Sequence, residues 1–229
     1  MKIEKSSALA YWIGIVQTDG YLKKYLDKTG GYKRFKYFIV MHVVTSLPML
    51  KRFQKISLRL FNRKAKIHKF KKGWVCKIGV TKLLPFFEEL DINFSKPPKP
   101  PSWCLERPGF FGAYLAGIID GDGTVDIKRP RYPQCAIQIS SDQLPIDLKK
   151  AIKNCLNCGV NNFYRERWAN IDGRFIYSHE NRTEFYLSSK NYLFFQGYVL
   201  PWISLHHKRY KISTFVNYLK RKYTYGSVV

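Results

Sequence analysis

Polar and apolar residues alternate along several stretches of the chain, and between those stretches apolar residues recur at helical spacing. In "RKAKIHKF" Lys64, Lys66 and His68 fall on one face of an extended strand, with Ala65 and Ile67 on the other. "TVDIK" sets Thr124, Asp126 and Lys128 against Val125 and Ile127, and "RTEFYL" sets Arg182, Glu184 and Tyr186 against Thr183, Phe185 and Leu187. This period predicts sheets with one dry face and one wet, basic face. The first half reads as an apolar helix over about 6–18, then a basic hairpin, "YLKKYLDK" and "YKRFKYFIVMHVV", turning at Thr29-Gly30-Gly31. A helix "LPMLKRFQKISLRLF" follows, with Ser46 placed to cap it and Pro48 in its first turn. A second basic hairpin turns near Gly73, and a short helix "LLPFFEEL" closes the half. The second half repeats this order: helix 110–121, strands "TVDIKRP" and "QCAIQIS", and helix "LPIDLKKAIKNCL" capped by Ser141 or Asp142. A long hairpin turning at Asp172-Gly173, a helix near 190–199 and a basic helix over about 203–222 complete it.

The two opening helices are copies of one another. "AYWIGIVQTDG" (10–20) and "AYLAGIIDGDG" (113–123) share six residues in one register, Ala10, Tyr11, Gly14, Ile15, Asp19 and Gly20 matching Ala113, Tyr114, Gly117, Ile118, Asp122 and Gly123. Ala10 and Gly14, four residues apart, share a helix face, as do Ala113 and Gly117. Small residues at that spacing let two backbones approach closely. Packed about a pseudo-twofold axis, the helices would bring Asp19 and Asp122 side by side. Two carboxylates at the negative ends of helices repel each other and the helix dipoles. A divalent cation reverses that balance, because Mg²⁺ takes hard oxygen ligands from one or two carboxylates, water and phosphate. An Asp-Gly pair can also be no more than a helix-ending turn. One copy would favour that reading; two copies in register favour a metal.

Charge narrows the partner. Lys and Arg number 40 against 16 acidic residues, a net charge of +24. Such an excess repels itself unless a polyanion neutralises it. The lysines lie in strand-like stretches rather than on one helical face, which points to nucleic acid instead of a membrane surface. Basic β-ribbons fit the major groove of duplex DNA. No run of 18 apolar residues occurs, so no membrane-spanning helix is expected. The N-terminal stretch is the first copy of the repeated helix, not a signal peptide. Five cysteines, an odd number, predict reduced thiols in an intracellular compartment, the cytoplasm of a prokaryote or an organelle. Cys155 and Cys158 have CxxC spacing but no second pair nearby, so they read as thiols at a helix end rather than a zinc site. The proline-rich "FSKPPKPPSWCLERPG" (94–109) is expected to be a stiff linker between repeats 1–93 and 110–229.

"YLAGIIDGDG" closely resembles the LAGLIDADG motif of homing endonucleases, and "YWIGIVQTDG" is similar to it as a looser second copy. The resemblance covers about 6–222. It implies an α+β fold of two pseudo-symmetric α-β-β-α-β-β-α repeats, with saddle-shaped antiparallel sheets and the two motif helices packed at the interface. It implies a monomeric enzyme, of intron type, that cuts both strands of a long asymmetric double-stranded DNA site using Mg²⁺, for which Mn²⁺ can substitute. Asp19 and Asp122 would bind the metal, with the carbonyls of Thr18 and Gly121 as auxiliary ligands. Lys96 and Lys208 are the nearest equivalents of a family lysine beside each metal, with Lys99 and Lys211 as competitors. His42 and Gln138 are further polar candidates, and Asp120 reads as helix-end packing or capping. His206 and His207 are neighbours on a helix and point in different directions, so they do not read as a joint metal site. The wet faces supply the expected DNA contacts: Lys23, Lys33, Lys64, Lys66 and His68 in the first half, and Thr124, Asp126, Lys128, Gln138, Arg182 and Glu184 in the second. An RNA-binding maturase that assists splicing, or a cleavage-dead DNA-binding regulator, would keep the basic surface without needing both acids. Retention of Asp19 and Asp122 favours the endonuclease over the regulator; a maturase activity alongside cleavage stays open.

Overall fold

The computed structural model describes residues 3–28, 33–129, 131–171 and 174–225. The first half runs α1 (Ser7–Asp19), β1 (Gly20–Asp27), β2 (Arg34–Val43), α2 (Leu47–Phe61), β3 (Lys66–Phe70), β4 (Gly73–Gly79) and α3 (Leu84–Glu89). The second runs α4 (Pro108–Asp122), β5 (Gly123–Lys128), β6 (Gln134–Ser141), α5 (Ile146–Leu156), β7 (Val160–Ile171) and β8 (Arg174–Leu187). It ends with α6 (Tyr192–Phe194), a π-helical turn at Phe195–Val199, and α7 (His206–Tyr225). Each half carries one four-stranded antiparallel sheet, ordered β1-β2-β4-β3 and β5-β6-β8-β7. The expected α-β-β-α-β-β-α repeat is therefore present in both halves. The hairpin turns at Thr29-Gly30-Gly31 and Asp172-Gly173 lie outside the described residues.

One core runs through both halves. Leu9, Ile13, Val16, Leu115 and Ile119 from the paired helices are fully buried. They pack with Ile39, Met41, Ile137 and Ile139 from the dry faces of the sheets. Trp12 anchors the first half: its ring stacks on Phe53 at 5.2 Å and meets Phe61 edge-on at 5.1 Å, and its indole N–H donates to Ser57 at 2.9 Å. Arg52 ties the halves together, donating to the carbonyls of Trp202 (2.7 Å) and Pro201 (3.1 Å) with its guanidinium over the rings of both Tyr11 and Trp202. Among the described residues no helix is long and apolar enough to cross a membrane.

Three local expectations need correction. Ser46 stands at the start of α2, with Pro48 in its first turn, but its hydroxyl makes no capping bond; its carbonyl accepts from the Leu50 N–H instead. Helix α5 starts at Ile146, behind Pro145, so neither Ser141 nor Asp142 caps it. The 94–109 segment is not a free spacer. Trp103 and Cys104 are buried in the core, and the Trp103 indole donates to the Leu90 carbonyl at 3.0 Å. Apolar side chains inside a proline-rich run had signalled this, because they have a core to bury in and a spacer does not.

Candidate metal centre and nucleic-acid interface

Helices α1 and α4 meet at their glycines. A Cβ on Gly14 would collide with the carbonyl oxygen of Tyr114, and one on Gly117 with that of Tyr11. The contact is therefore reciprocal, as a pseudo-twofold axis requires, and only hydrogen fits at either position. Lower down, a Cβ on Gly121 would overlap the Thr18 side chain. This close approach forces the C-terminal ends together and sets Asp19 and Asp122 into one electrostatic field.

Burial, and next the Asp122 charge, push the Asp19 carboxyl up from its ordinary 3.8 to about 7. Burial also raises Asp122, against the pull of Lys96 and Lys208. Each lysine sits on the end of one helix. Lys96 donates to the Thr18 carbonyl at 2.6 Å. Lys208, 7% exposed, donates to the carbonyls of Ile119 (2.7 Å), Asp120 (2.9 Å) and Gly121 (3.4 Å). A cation at a helix C-terminus is favoured by the dipole. Burial lowers the Lys208 pKa, and Asp120, Asp19 and Asp122 oppose that shift. The competitors are turned elsewhere. Lys99 lies 3.7 Å from Asp147, and Lys211 donates to the Val125 carbonyl (2.7 Å) and to Asp126 (3.3 Å).

The residues two positions before the acids hold the lysine-bearing segments. Asp120, fully buried, accepts from the Tyr11 hydroxyl (2.7 Å) and from the backbone N–H of Ser204 (2.7 Å) and Leu205 (3.2 Å). It fastens the chain just ahead of Lys208. At the matching position, Gln17 donates to the carbonyls of Asn93 (2.7 Å) and Lys99 (2.8 Å), and accepts from the Tyr114 hydroxyl at 2.6 Å. Gln17 thus clamps both sides of Lys96. Where the second helix has Asp120, an amide does the work in the first because its partners are carbonyls, which need a donor.

A divalent cation fits this donor set. The groups at the helix ends are carboxylate and carbonyl oxygens, the hard ligands that Mg²⁺ takes. Among the described residues no cluster of three or more His, Cys, Asp or Glu could cage a metal by itself. The remaining ligands must come from water or from a bound phosphate. Cys155 and Cys158 are free, half-buried thiols, and His206 and His207 are exposed at the start of α7.

Strands β1 and β5 leave directly from Asp19 and Asp122, so both wet faces extend outward from the acids. In the second sheet that face is a hydrogen-bonded network. Glu184, only 4% exposed, accepts from Lys128 (2.8 Å), Gln138 (2.5 Å) and Tyr186 (2.5 Å). Gln138 in turn accepts from Arg182 at 3.4 Å, and Arg182 pairs with Glu180 at 3.2 Å. The Glu184 carboxylate is occupied inside the sheet, so it orients Lys128 and Gln138 rather than offering itself to a ligand. Thr124 is exposed. On the first half Lys23 and Lys33 are exposed, and so are Lys64, Lys66 and His68, as the alternation of "RKAKIHKF" required.

The wet face of the first sheet sets aromatic rings among its lysines. Tyr21 stacks on His42 at 6.2 Å, Phe70 meets His42 at 6.3 Å, and Tyr25 meets Phe38 at 5.3 Å. Lys77 lies over Phe38, its Nζ 4.0 Å from the ring centre. Tyr21, Tyr25, Phe38, Phe70 and Lys77 were not picked out from the sequence. The signal was present, because Tyr21, Lys23 and Tyr25 alternate with Leu22 and Lys24, but "YLKKYL" reads as amphipathic in either register.

Two α-β-β-α-β-β-α halves joined at glycine-packed helices that end on a pair of aspartates define the two-motif LAGLIDADG architecture. The solved structures that the chain resembles have this fold. I-DmoI in complex with DNA and manganese aligns over 86% of this chain and 97% of its own, at 16% identity and a TM-score of 0.53. Mesophilic variants of the homing endonuclease I-DmoI align with a TM-score of 0.55 at 17% identity, over 86% of this chain and 97% of theirs. The meganuclease I-SmaMI bound to uncleaveable DNA covers 97% of this chain and 92% of its own, at 13% identity and a TM-score of 0.53. No family model matches the sequence, and a search of curated proteins finds no match.

Proposed function

We propose that the protein is a site-specific DNA endonuclease, dependent on a divalent metal, that hydrolyses one phosphodiester on each strand of a long asymmetric site. The observation that carries this reading is the convergence of Asp19, Asp122, Lys96 and Lys208 at the paired helix ends. Like charges held together in a partly dry site destabilise a fold, and such arrangements cluster where chemistry is done. The pseudo-twofold axis supplies one acid and one lysine per strand. Asp19 and Asp122 would hold Mg²⁺ or Mn²⁺, with the Thr18 and Gly121 carbonyls beside them. When bound, such an ion polarises a phosphoryl oxygen and lowers the pKa of a coordinated water.

The chain's own groups do the rest. Lys96 and Lys208 offset the negative charge that gathers on an attacked phosphodiester. Gln17 and Asp120 keep those lysines at the helix ends. The lysines of the two sheets neutralise the DNA backbone and fix its register. The similar I-DmoI structures are complexes with DNA and with Mn, Mg or Ca, which supports the same partner and metal class here. A monomer suffices, because both repeats lie in one chain. The free thiols suit a reducing compartment, and a long target would suit an intron-type homing role.

The test is cleavage of a plasmid library carrying random inserts, with Mg²⁺ and with EDTA. Discrete double-strand ends that vanish in EDTA, and in Asp19→Asn and Asp122→Asn, are expected. Specific duplex binding without any cutting would identify a DNA-binding regulator. Specific RNA binding without duplex binding would identify a maturase.

A further inference from the structure

The two sheets match in register but not in chemistry. Gly20 pairs with Met41 and Gly123 with Ile139, which aligns them residue by residue. The first wet-face row beyond the acids reads Tyr21, Val40, Lys77 and Lys66 in one sheet. The same row reads Thr124, Gln138, Glu184 and Asn161 in the other. The next row begins Lys23 and Phe38 in one, Asp126 and Ala136 in the other. One face presents rings with cations between them. The other presents donors and acceptors that already bond one another and so have fixed directions.

The rings are accessible. Tyr21 is 41% exposed and Phe70 50%. Lys23 and Lys77 stand over the Tyr25 ring at 5.0 and 4.5 Å, so the apolar surface is edged with positive charge. That combination suits a ligand with both apolar and anionic parts. In the major groove, thymine alone carries a methyl group, beside its O4 acceptor, whereas guanine, adenine and cytosine present hydrogen-bonding edges only. A ring or an aliphatic side chain gains from the methyl and satisfies none of those edges. Arg, Lys and Gln in fixed orientations do the opposite.

We propose that the protein reads the two halves of its duplex by different chemistry: thymine methyl contact under the first sheet, hydrogen bonding to base edges under the second. This rests on the reading of the partner as duplex DNA and not on cleavage. It makes the half-site under the first sheet rich in T·A pairs. It makes that half tolerant of any change that keeps a methyl in place. The half under the second sheet is intolerant of base changes and indifferent to methyls.

Selection of bound duplexes from a random library in EDTA supplies the sites. Phe38→Ala and Gln138→Ala, each selected in parallel, identify which half each sheet holds by which positions relax. Thymine is then replaced by deoxyuridine, which removes only the methyl, in one half at a time. Expected is a loss of affinity of about fourfold per contacted methyl in the first-sheet half, the factor that burying one methyl-sized group confers. Less than twofold change is expected in the other half. Equal sensitivity of the two halves, or no thymine enrichment under the first sheet, would overturn the inference while leaving DNA binding intact. Failure to enrich any duplex would instead defeat the reading of DNA as partner.

Discussion

Tyr114 donates its hydroxyl proton to the side-chain oxygen of Gln17 at 2.6 Å, across the interface between the two motif helices. Tyr11, its counterpart, donates to Asp120 at 2.7 Å. The two bonds are symmetry mates, but their surroundings differ. Asp120 keeps two backbone donors when Tyr11 is lost. The Gln17 oxygen has no other partner among the described residues. Tyr114→Phe should therefore cost about 1–3 kcal/mol, the penalty of a buried unpaired acceptor. Tyr11→Phe breaks bonds to both the Asp120 carboxyl and the Ser204 hydroxyl and should cost about 1–3 kcal/mol as well. Urea unfolding of both variants checks the costs. A Tyr114→Phe cost near zero would mean that water reaches Gln17.

The helix interface makes a second prediction. Gly14→Ala places a methyl against the Tyr114 carbonyl, which is backbone and cannot rotate away. Overpacking of this kind costs about 1–3 kcal/mol. It should also part the helix ends and weaken cleavage beyond what the stability loss explains. Thermal melting paired with cleavage at a temperature where the variant is folded separates the two effects. Parental rate and melting temperature together would show that the interface has room.

Much of this was legible in the sequence because the motif is local. Ala10, Gly14 and Asp19 and their copies lie within one helix each, so a repeat in register states the packing and the paired acids at once. Alternation in "RKAKIHKF" fixed a strand face for the same reason. What escaped was set by distant partners. Gln17 has its meaning from Asn93 and Lys99, some eighty residues on. Glu184 reads as a free wet-face acid until Lys128, Gln138 and Tyr186 are seen around it. The aromatic face of the first sheet depends on strand pairing that joins Tyr21 to His42 and Tyr25 to Phe38, and no single strand shows it.

The lysines should behave unequally. Lys208 serves three carbonyls from a buried position, Lys96 one. Lys208→Met should lower stability by about 1–3 kcal/mol, because the Asp120 and Gly121 carbonyls lose their donor, and Lys96→Met by less, because only the Thr18 carbonyl does. Both should slow cutting of one strand more than the other, so nicked plasmid accumulates before linear product. Binding should weaken only slightly, one phosphate contact among many being lost. Gel resolution of nicked and linear forms over time is the measurement. If both variants convert supercoiled to linear plasmid at the parental rate, the strand-specific role fails.

The acids themselves should cost stability. The Asp19 carboxyl titrates at about 7 in the folded protein against an ordinary 3.8. Below 3.8 both folded and unfolded chains hold the proton and the shift contributes nothing. Between 3.8 and 7 the folded chain keeps a proton that the unfolded chain has lost, so stability falls as pH rises. Above 7 both forms are ionised, and the penalty of charging a buried carboxylate beside Asp122 is fully present. Asp19→Asn removes that penalty. In EDTA it should be more stable than the parent at pH 8 by about 2 kcal/mol, with the gain shrinking toward pH 4. Three pKa units correspond to about 4 kcal/mol; the smaller figure allows for solvent at the open end of the site. Asp122 is raised in the same direction, so Asp122→Asn should share the sign. A variant that is more stable at pH 8 yet unable to cut would show stability given up for function at these two positions. An Asp19→Asn protein less stable than the parent at pH 8, or a gain independent of pH, would mean that Asp19 carries no such strain.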